Sequence, residues 1–415
     1  MALAILLTNP VDQNAIQYSG EILNYWYGGF WNLLEFGMQM MLILILGHVL
    51  ANTGPVKRII NYLLRFCTNN VSAAFFITFF TIIAAMINWG LGLIFGAIMA
   101  RKVAENATVN KTSVNFPLLA ACGYSGMMVW HGGFSGSAPL TVAESGHFLE
   151  AQTGIIPVTQ TLFSAMNITV FIALLVILPT LMMWIAKRSP GEIPNVPPSD
   201  SNKNESSYRL NYFAVFFAVL ILGVWLLQGI RQAAEPGTSA LDIISLNYIN
   251  YLFLGLCLLF TGSFQLLSQK TGEAIASGTG IFLQFPFYAG IMGIMAESGL
   301  LAMLANFFAD IATPATFPLL TFVSGGIVNV FVPSGGGQWA VQGPLIIEAS
   351  EALGVSFPKN VMALAYGDQI TNMIQPFWAL PLLGITGLKP GAILPYTLCL
   401  MLTGIVIYVS ALMIF

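Results

Sequence analysis

The residues best suited to binding chemistry occur where long apolar runs are interrupted by helix breakers. The stretch from Asn329 to Pro344 reads NVFVPSGGGQWAVQGP. Its breakers are Pro333, Ser334, Gly335, Gly336 and Gly337. An earlier apolar run is interrupted by Asn88, Trp89 and Gly90. Irregular backbone at membrane depth is tolerated only where it is buried in protein or lines a cavity. Both interruptions therefore predict a site that offers backbone amides and carbonyls to a ligand.

Two further polar segments between apolar runs predict the rest of this substrate site. One reads HGGFSGS from His131 to Ser137, and the other reads DQITNMIQP from Asp368 to Pro376. The candidate substrate-binding residues in them are His131, Gly132, Gly133, Ser135, Gly136, Ser137, Asn372 and Gln375. Hydroxyl and amide side chains of this kind supply neutral hydrogen bonds.

Asp368 is the one carboxylate close to these segments, and an acid inside a membrane span is a functional candidate by default. It predicts either a proton carrier or a sodium ligand, and the sequence does not distinguish the two. Asn88 and Asn329 are candidates for ion coupling and for a sodium site, because sodium takes oxygen ligands at unwound helices. The alternative interpretation makes both asparagines structural caps, His131 a partner of a backbone carbonyl, and Asp368 a residue near the membrane edge.

The surroundings of these segments indicate what they could bind. Lys and Arg are absent from 112–186 and from 271–358. A carboxylate there needs backbone amides at helix N-termini or in glycine-rich turns instead of an ion pair. Aromatic residues could wall a small apolar pocket: Trp89, Trp130, Phe134, Phe331, Trp339, Phe377 and Trp378. A short acyl chain with one carboxylate fits such a pocket better than a sugar or a dicarboxylate.

The composition identifies the class of protein that must position these residues. Of 415 residues, 57% are hydrophobic and 7% are charged, whereas about 25% are charged in a soluble domain. The chain is predicted to be an all-α polytopic protein of the cell (inner) membrane, with the lipid bilayer as a partner. Its net charge of −3 and lack of a basic patch argue against nucleic acid. Scattered cysteines and the absence of HExxH predict no metal enzyme and no cofactor.

Two apolar stretches, 72–101 and 314–350, are too short for two crossings and are broken at their midpoints. Each is predicted to form a re-entrant hairpin that returns to the side where it began. With this interpretation, all 14 Lys and Arg residues except Arg231 and Lys359 fall on one face. Loops rich in Lys and Arg stay in the cytoplasm. The first hairpin is therefore predicted to enter from the cytoplasm and the second from outside.

The two halves of the chain repeat each other and are predicted to have inverted topology. VNFP at Val114–Pro117 parallels VSFP at Val355–Pro358, and Asn88 parallels Asn329. The first repeat, 1–186, is predicted to comprise a scaffold helix, hairpin 72–101, interrupted helix 114–145 and helix 156–186. The second, 210–415, is predicted to comprise scaffold helices in 210–296, hairpin 314–350, interrupted helix 358–383 and helix 391–415. Between them, 187–209 is the predicted cytoplasmic linker. Secondary transporters are built in this way.

The chain begins with an apolar segment, Met1–Leu7, that is shorter than the about 20 residues of a spanning helix. It lacks the basic start of a signal peptide. We interpret it as the end of a spanning helix, which predicts an N-terminally shortened chain; a frayed apolar start is the alternative.

Several stretches resemble the short-chain fatty acid transporter family, within the larger ion transporter superfamily. They are FWNLLEFGMQM (Phe30–Met40), INWGLGLIFGA (Ile87–Ala97), HGGFSGSAPL (His131–Leu140), LQFPFYAGI (Leu283–Ile291), VPSGGGQWAVQGP (Val332–Pro344) and AYGDQITNMIQPFWALP (Ala365–Pro381). The resemblance implies symport of short fatty acids such as butyrate or acetoacetate, driven by an ion gradient. It also implies an elevator-type architecture, in which a transport domain moves against a scaffold, and a homodimer. The Ser-Asn-Thr motifs of the superfamily are absent from both hairpin tips.

Three other functions remain open from the sequence. A sodium–dicarboxylate symporter of the same architecture is disfavoured by the aromatic residues near the site. An intramembrane enzyme would need a partner for Asp368, and neither GxGD nor HExxH occurs. A passive channel is disfavoured because two hairpins that stop within the membrane indicate a gated site.

Overall fold

A computed structural model of the chain describes residues 1–10, 13–197, 210–234, 241, 243–300, 303, 307, 310–331 and 335–415, without the side chains of 276–281, 284, 331, 376 and 377. These residues form helices joined by turns, and the one isolated strand-type bridge among them pairs Val114 with Glu192. The predicted all-α class is confirmed for this part of the chain.

One group of helices comes from the N-terminal segment and the start of the second half. It comprises Ala2–Thr8, Ala15–Gly29, Leu34–Ala51, Gly54–Leu63, Tyr212–Ala234, Leu246–Thr261 and Phe264–Glu297. The sequence analysis missed Ala15–Gly29, which mixes polar residues and glycines with apolar ones. Its glycines serve packing, because a Cβ on Gly29 would lie 2.8 Å from the Cα of Gly293. Only glycine permits such close contact between two helix backbones.

A sharp bend separates Leu246–Thr261 from the next helix, and the two axes differ by 120°. The first helix ends at Gly262, which adopts a left-handed conformation with φ 62°. The Ser263 hydroxyl then accepts from the amide of Leu266 and caps the following helix. The glycine and the cap thus divide the predicted scaffold region 210–296 after Thr261.

Hairpin 1 consists of the helices Asn70–Ile87 and Trp89–Asn110, with Asn88 between them. The second arm folds back on the first, since a Cβ on Gly92 would lie 2.5 Å from the Cα of Ala85. The two ends of the hairpin lie near one segment: Asn70 Nδ2 donates to the Ala186 carbonyl, and Ser113 Oγ donates to the Gly191 carbonyl. The chain therefore returns to where it started, with both arms extending beyond the predicted 72–101.

Hairpin 2 consists of the helices Phe317–Phe331 and Gly335–Leu353. Gln338 Nε2 donates to the Gly325 carbonyl at 2.7 Å, and Gln342 Nε2 donates to Ser324 Oγ at 3.2 Å. These bonds hold the arms side by side and antiparallel. The predicted site residues Pro333 and Ser334 lie outside the described residues.

Both predicted interrupted helices are interrupted in the structure. Broken helix 1 runs through Phe116–Tyr124, two 3₁₀ turns and Ser137–Thr141. Broken helix 2 runs through Phe357–Thr371, the 3₁₀ turn Asn372–Ile374 and Pro376–Thr386. Pro at the start of Pro376–Thr386 cannot donate a helical hydrogen bond, which favours a break there. The helices Ala165–Arg188 and Pro390–Ile414 pack beside them.

The two halves share one packing arrangement between each broken helix and the first arm of each hairpin. Gly126 lies against Thr81 and Ala85, where a Cβ would be 2.6 Å from Ala85 Cβ. Gly367 lies against Phe322 and Gly326. Phe322, Gly326 and Gly367 are the counterparts of Thr81, Ala85 and Gly126. The offset between the two residues is the same in each pair, and it equals the offset between Asn88 and Asn329. The crossing point is thus equivalent in both halves.

Five described helices are long and apolar enough to span a membrane, or up to six if the bent pair is one span. They are Leu34–Ala51, Asn70–Ile87, Ala165–Arg188, Tyr212–Ala234 and Pro390–Ile414. The chain is an integral membrane protein. Of the predicted linker, 187–197 is described, and 198–209 lies outside the described residues.

Candidate functional site

The two broken helices meet through His131 and Asp368. His131 Nδ1 and Asp368 Oδ2 are 2.6 Å apart, and their side chains are 0% and 1% exposed. The other ring nitrogen, Nε2, accepts from the amide of Ala138 at 3.1 Å. A neutral imidazole that accepts at Nε2 carries its proton at Nδ1. The ring therefore donates to Asp368, so that a buried carboxyl group joins the two helix breaks.

A second chain of hydrogen bonds runs beside this contact. The amide of His131 donates to Gln369 Oε1 at 3.0 Å, and Gln369 Nε2 donates to the Tyr408 hydroxyl at 3.0 Å. The Tyr408 hydroxyl in turn donates to the Met128 carbonyl. Broken helix 2 and the helix Pro390–Ile414 thus both hold the interrupted segment of broken helix 1.

Hairpin 2 contributes Asn329, which is 0% exposed. Its Nδ2 lies 2.8 Å from the Asp368 carbonyl, 2.9 Å from Thr371 Oγ1 and 2.8 Å from Asn372 Oδ1. Among the residues that the structure describes, Asn329 Oδ1, Asp368 Oδ1 and Asn372 Nδ2 are buried without a hydrogen-bond partner. Other described residues have such atoms as well, for example Thr161 and Asn360, but these three lie together around the break of broken helix 2. The two oxygens suit a cation or a proton, and the amide suits a carboxylate.

The start of the second arm of hairpin 2, at Gly335, lies directly on the His131–Asp368 pair. A Cβ on Gly335 would lie 2.5 Å from the Trp130 ring, 3.0 Å from His131 Cε1 and 3.2 Å from Asp368 Oδ2. No larger residue fits without displacing one of them. Gly336 faces the other way, toward the helix Leu34–Ala51. A Cβ on Gly336 would lie 3.0 Å from Phe36 Cζ. The third predicted glycine of this tip, Gly337, is buried.

Three tryptophans form an aromatic cluster beside the pair. Trp89 and Trp378 meet edge to face with ring centroids 5.1 Å apart, and Trp130 lies 6.0 Å from Trp89. Trp130 also stacks on the His131 ring at 4.5 Å. Of the other predicted pocket residues, Phe134 packs on Phe163 and Trp339 on Phe148, while the side chains of Phe331 and Phe377 lie outside the described residues.

Asn88 fixes the tip of hairpin 1. Its Oδ1 accepts from the amide of Leu91 at 2.8 Å, and its Nδ2 donates to the Ile43 carbonyl at 3.0 Å. The side chain therefore caps the second arm and ties the tip to the helix Leu34–Ala51. This is the cap role that the sequence left as an alternative; the sodium role of Asn88 stays a prediction.

The remaining predicted residues shape the two interruptions. Three of them are in hydrogen bonds: the Trp89 amide donates to Ser135 Oγ, Ser137 Oγ donates to Met40 Sδ, and Gln375 Nε2 donates to the Val330 carbonyl. Three glycines pack closely on backbone carbonyls: Gly90 on that of Leu44, Gly133 on that of Met86, and Gly136 on that of His131. Gly132 packs on Asn167. Each of them lies at a hairpin tip or a helix break, and their roles in substrate binding stay predictions.

Sequence reasoning missed three buried polar residues of this region, namely Gln369, Tyr408 and Asn167. Asn167 is the one amide side chain of a mostly apolar helix, and that isolation was the available signal. Gln369 directly follows Asp368 and lay within the quoted segment. No pattern in the sequence singles out Tyr408, whose role depends on a contact with Met128.

A sequence model described as short chain fatty acid transporter matches residues 2–415. The chain belongs to the short-chain fatty acid transporter family. A relative from Escherichia coli K-12 is 40% identical over 406 residues, with 95% of this chain and 90% of the relative covered. A relative from Haemophilus influenzae is 36% identical over 392 residues, with coverages of 89% and 84%. Both relatives are provisionally named short-chain fatty acid transporters.

Two solved structures share the fold of this family member. The YdaH transporter of Alcanivorax borkumensis matches with a TM-score of 0.61 at 16% identity, covering 97% of this chain and 89% of that one. MtrF of Neisseria gonorrhoeae, described as one of a class of antimetabolite efflux pumps, matches with a TM-score of 0.60 at 13% identity and coverages of 96% and 84%. The family and these neighbours are transporters, so the chain is a transporter and not an intramembrane enzyme.

Proposed function

We propose that this chain moves short-chain monocarboxylates, of the butyrate or acetoacetate type, across the cell (inner) membrane by ion-coupled alternating access. The site comprises the two hairpin tips and the two helix breaks. The observation that carries the proposal is the buried contact between His131 and Asp368 under the tip of hairpin 2. A carboxyl group of this kind has no role in packing and needs a functional reason to be buried.

We assign coupling to Asp368. Its Oδ2 accepts a hydrogen bond from His131 Nδ1, and its Oδ1 has no hydrogen-bond partner among the described residues. Asn329 Oδ1 is unpartnered nearby on hairpin 2. A cation or proton bound here would offset the negative charge of the substrate, because Lys and Arg are absent from the segments at the hairpin tips and helix breaks, 86–92, 125–137, 329–337 and 368–376. Binding of the ion and the acid would then favour each other.

The substrate is assigned from the aromatic cluster of Trp89, Trp130 and Trp378. An apolar tail gains from burial against these rings, by about 0.8 kcal/mol for each CH₂ group. A dicarboxylate would instead place its second charge in the cluster without a partner, at a cost of several kcal/mol. Monocarboxylates of a few carbons fit this balance best.

The proposed mechanism uses inverted repeats and an elevator-type motion. The equivalent contacts of Gly126 and Gly367 support the repeats. Gly47 lets the tip of hairpin 1 approach the helix Leu34–Ala51 closely, because a Cβ there would overlap Asn88 Oδ1. The elevator-type motion stays a proposal from the family resemblance. The homodimer stays a proposal from the family resemblance.

Uptake of labelled butyrate into proteoliposomes tests the function. We expect saturable uptake that accelerates with an inward gradient of either protons or sodium, and weak competition by succinate. Uptake that is non-saturable and indifferent to both gradients would indicate a passive pathway. Uptake of succinate in preference to butyrate would favour the dicarboxylate alternative.

Asp368→Asn tests the coupling residue. The substitution retains the shape of the side chain but removes its charge, and a hydrogen bond to a charged group is worth about 1.5–3 kcal/mol, which corresponds to about a tenfold to hundredfold effect. We expect uptake to fall in that range and to lose its response to the gradient. Asp310→Asn is the matched control, because Asp310 is exposed. Equal uptake by the two variants would contradict the assignment.

A further inference from the structure

Asn167 lies outside the candidate site, near the start of the helix Ala165–Arg188, and its residue is 2% exposed. Its backbone amide donates to Ser164 Oγ, which caps the helix. The side chain is thus held on the first turn of a helix and directed toward the two helix breaks.

Every polar atom of the Asn167 side chain is used. Nδ2 donates to the Gly132 carbonyl at 2.9 Å and to the Leu162 carbonyl at 2.8 Å. Oδ1 accepts from the Tyr366 hydroxyl at 3.0 Å. An amide carries two donor hydrogens and one acceptor oxygen, so it matches these three partners. Neither a carboxylate nor an apolar side chain of the same size can do so.

The first partner, Gly132, directly follows His131 in the interrupted segment. A Cβ on Gly132 would lie 2.6 Å from Asn167 Oδ1, so the backbone of the break rests on the amide. The position of this backbone sets the position of the imidazole, since His131 is one residue away.

Tyr366, which donates to Asn167 Oδ1, precedes Asp368 by two residues on broken helix 2. Its ring stacks on Tyr408 at a centroid distance of 4.8 Å. Tyr408 donates to the Met128 carbonyl and accepts from Gln369. The Asn167–Tyr366 bond therefore closes a ring of contacts that passes through the His131 backbone and Gln369, next to Asp368, and joins both breaks.

We propose that Asn167 is a positioning residue that sets the register between the two broken helices and so keeps His131 Nδ1 in contact with Asp368 Oδ2. Its side chain hydrogen-bonds Gly132, Leu162 and Tyr366 and acts on the pair through Gly132 and Tyr366. Its effect on transport rests on the proposed function, whereas its effect on the geometry of the break does not.

Hydrogen–deuterium exchange of the purified chain tests the geometry without any transport. The amides of His131 and Ala138 report on it, because one donates to Gln369 and the other to the His131 ring. Asn167→Leu, which removes all three bonds, should accelerate exchange across 131–138 by about tenfold or more. Tyr366→Phe removes one bond and should have a smaller effect at the same amides, which keeps the test valid if Asn167→Leu folds poorly.

Asn360→Leu is the matched control, because Asn360 is 0% exposed and its Nδ2 donates to Ser350 Oγ at 2.8 Å. It should leave exchange at 131–138 unchanged. Exchange at 131–138 that is unchanged in Asn167→Leu and Tyr366→Phe, or equally raised in Asn360→Leu, would overturn the proposal.

Butyrate uptake adds the functional arm. Asn167→Leu should reduce the stimulation by a proton or sodium gradient about tenfold while changing the butyrate KM less than about threefold. In combination with Tyr366→Phe the losses should be non-additive, because the two residues share one bond. Additive losses, or a KM effect with intact stimulation, would refute positioning of the coupling pair. Failure of the parent chain to transport butyrate would contradict the proposed function and leave the exchange result decisive for Asn167.

Discussion

The contact between His131 and Asp368 is unusual because only one carboxyl oxygen is engaged. Asp368 Oδ1 is buried without a partner in the described part of the chain, and an unsatisfied buried group costs about 1–3 kcal/mol. Asn329 Oδ1 and Asn372 Nδ2 carry the same penalty within the same region. At the residue scale, this grouping supports the proposed coupling role of Asp368.

Gly335→Ala tests whether the tip of hairpin 2 must approach this pair. The added Cβ would lie 2.5 Å from the Trp130 ring, and overpacking of this kind costs about 1–3 kcal/mol. We expect butyrate uptake to fall about tenfold or more in proteoliposomes, while the purified protein remains folded.

Gly384→Ala is its control. A Cβ on Gly384 would have no atom within 4 Å, so uptake should be unchanged and the helix slightly stabilised, by about 0.5–1 kcal/mol. If Gly335→Ala transports as well as Gly384→Ala, the tip does not close on the site.

At the scale of the elements, side-chain caps define where the helices of hairpin 1 begin. Asn69 and Asn88 each accept from amides of the helix that follows, at the two ends of the first arm of hairpin 1. Only Asn88 also reaches another element, through its bond to the Ile43 carbonyl. The hairpin tip is therefore both terminated and anchored by one side chain.

A comparison of Asn88→Ala with Asn69→Ala separates these two roles. Loss of a helix cap costs about 0.5–2 kcal/mol in either variant, so both should unfold at lower temperature. Only Asn88→Ala should also lose butyrate uptake, because it releases the tip from the helix Leu34–Ala51. Equal retention of uptake in both would mean that anchoring of the tip is dispensable.

At the scale of the whole molecule, the two hairpins define the proposed topology. Both ends of hairpin 1 contact the segment around 186–191, and the arms of hairpin 2 pack antiparallel. A hairpin that returns to its side of entry leaves the positive-inside pattern intact after it. Two such hairpins from opposite sides would bring their tips together between the helix breaks.

Cysteine labelling in intact cells tests this topology. In a background with Cys67, Cys122, Cys257 and Cys399 replaced, new cysteines are placed at the exposed residues Asn69, Lys111, Thr316 and Glu351. The first two should react only after permeabilisation, and the last two should react with an impermeant reagent from outside. Labelling of Asn69→Cys and Lys111→Cys from different sides would refute the first re-entrant hairpin.

The sequence by itself determined the class, the helical fold and the sites of interruption. Composition requires a membrane protein, and each interruption contains residues whose backbone chemistry opposes a continuous helix: Asn88, the glycines of 132–136, Gly335 and Pro376. These are local effects, so they can be recognised in sequence alone. The family resemblance rests on stretches that include these interruptions, and the family is confirmed.

Only the tertiary structure decided which polar groups meet. The pairing of His131 with Asp368, and the ring through Asn167, Tyr366 and Tyr408, join residues that are far apart in sequence. Such contacts cannot be predicted from a single sequence, because they depend on how helices distant in the chain pack together. The helix Ala15–Gly29 shows the same limit: its glycines are explained only by the backbone of Gly293 against them.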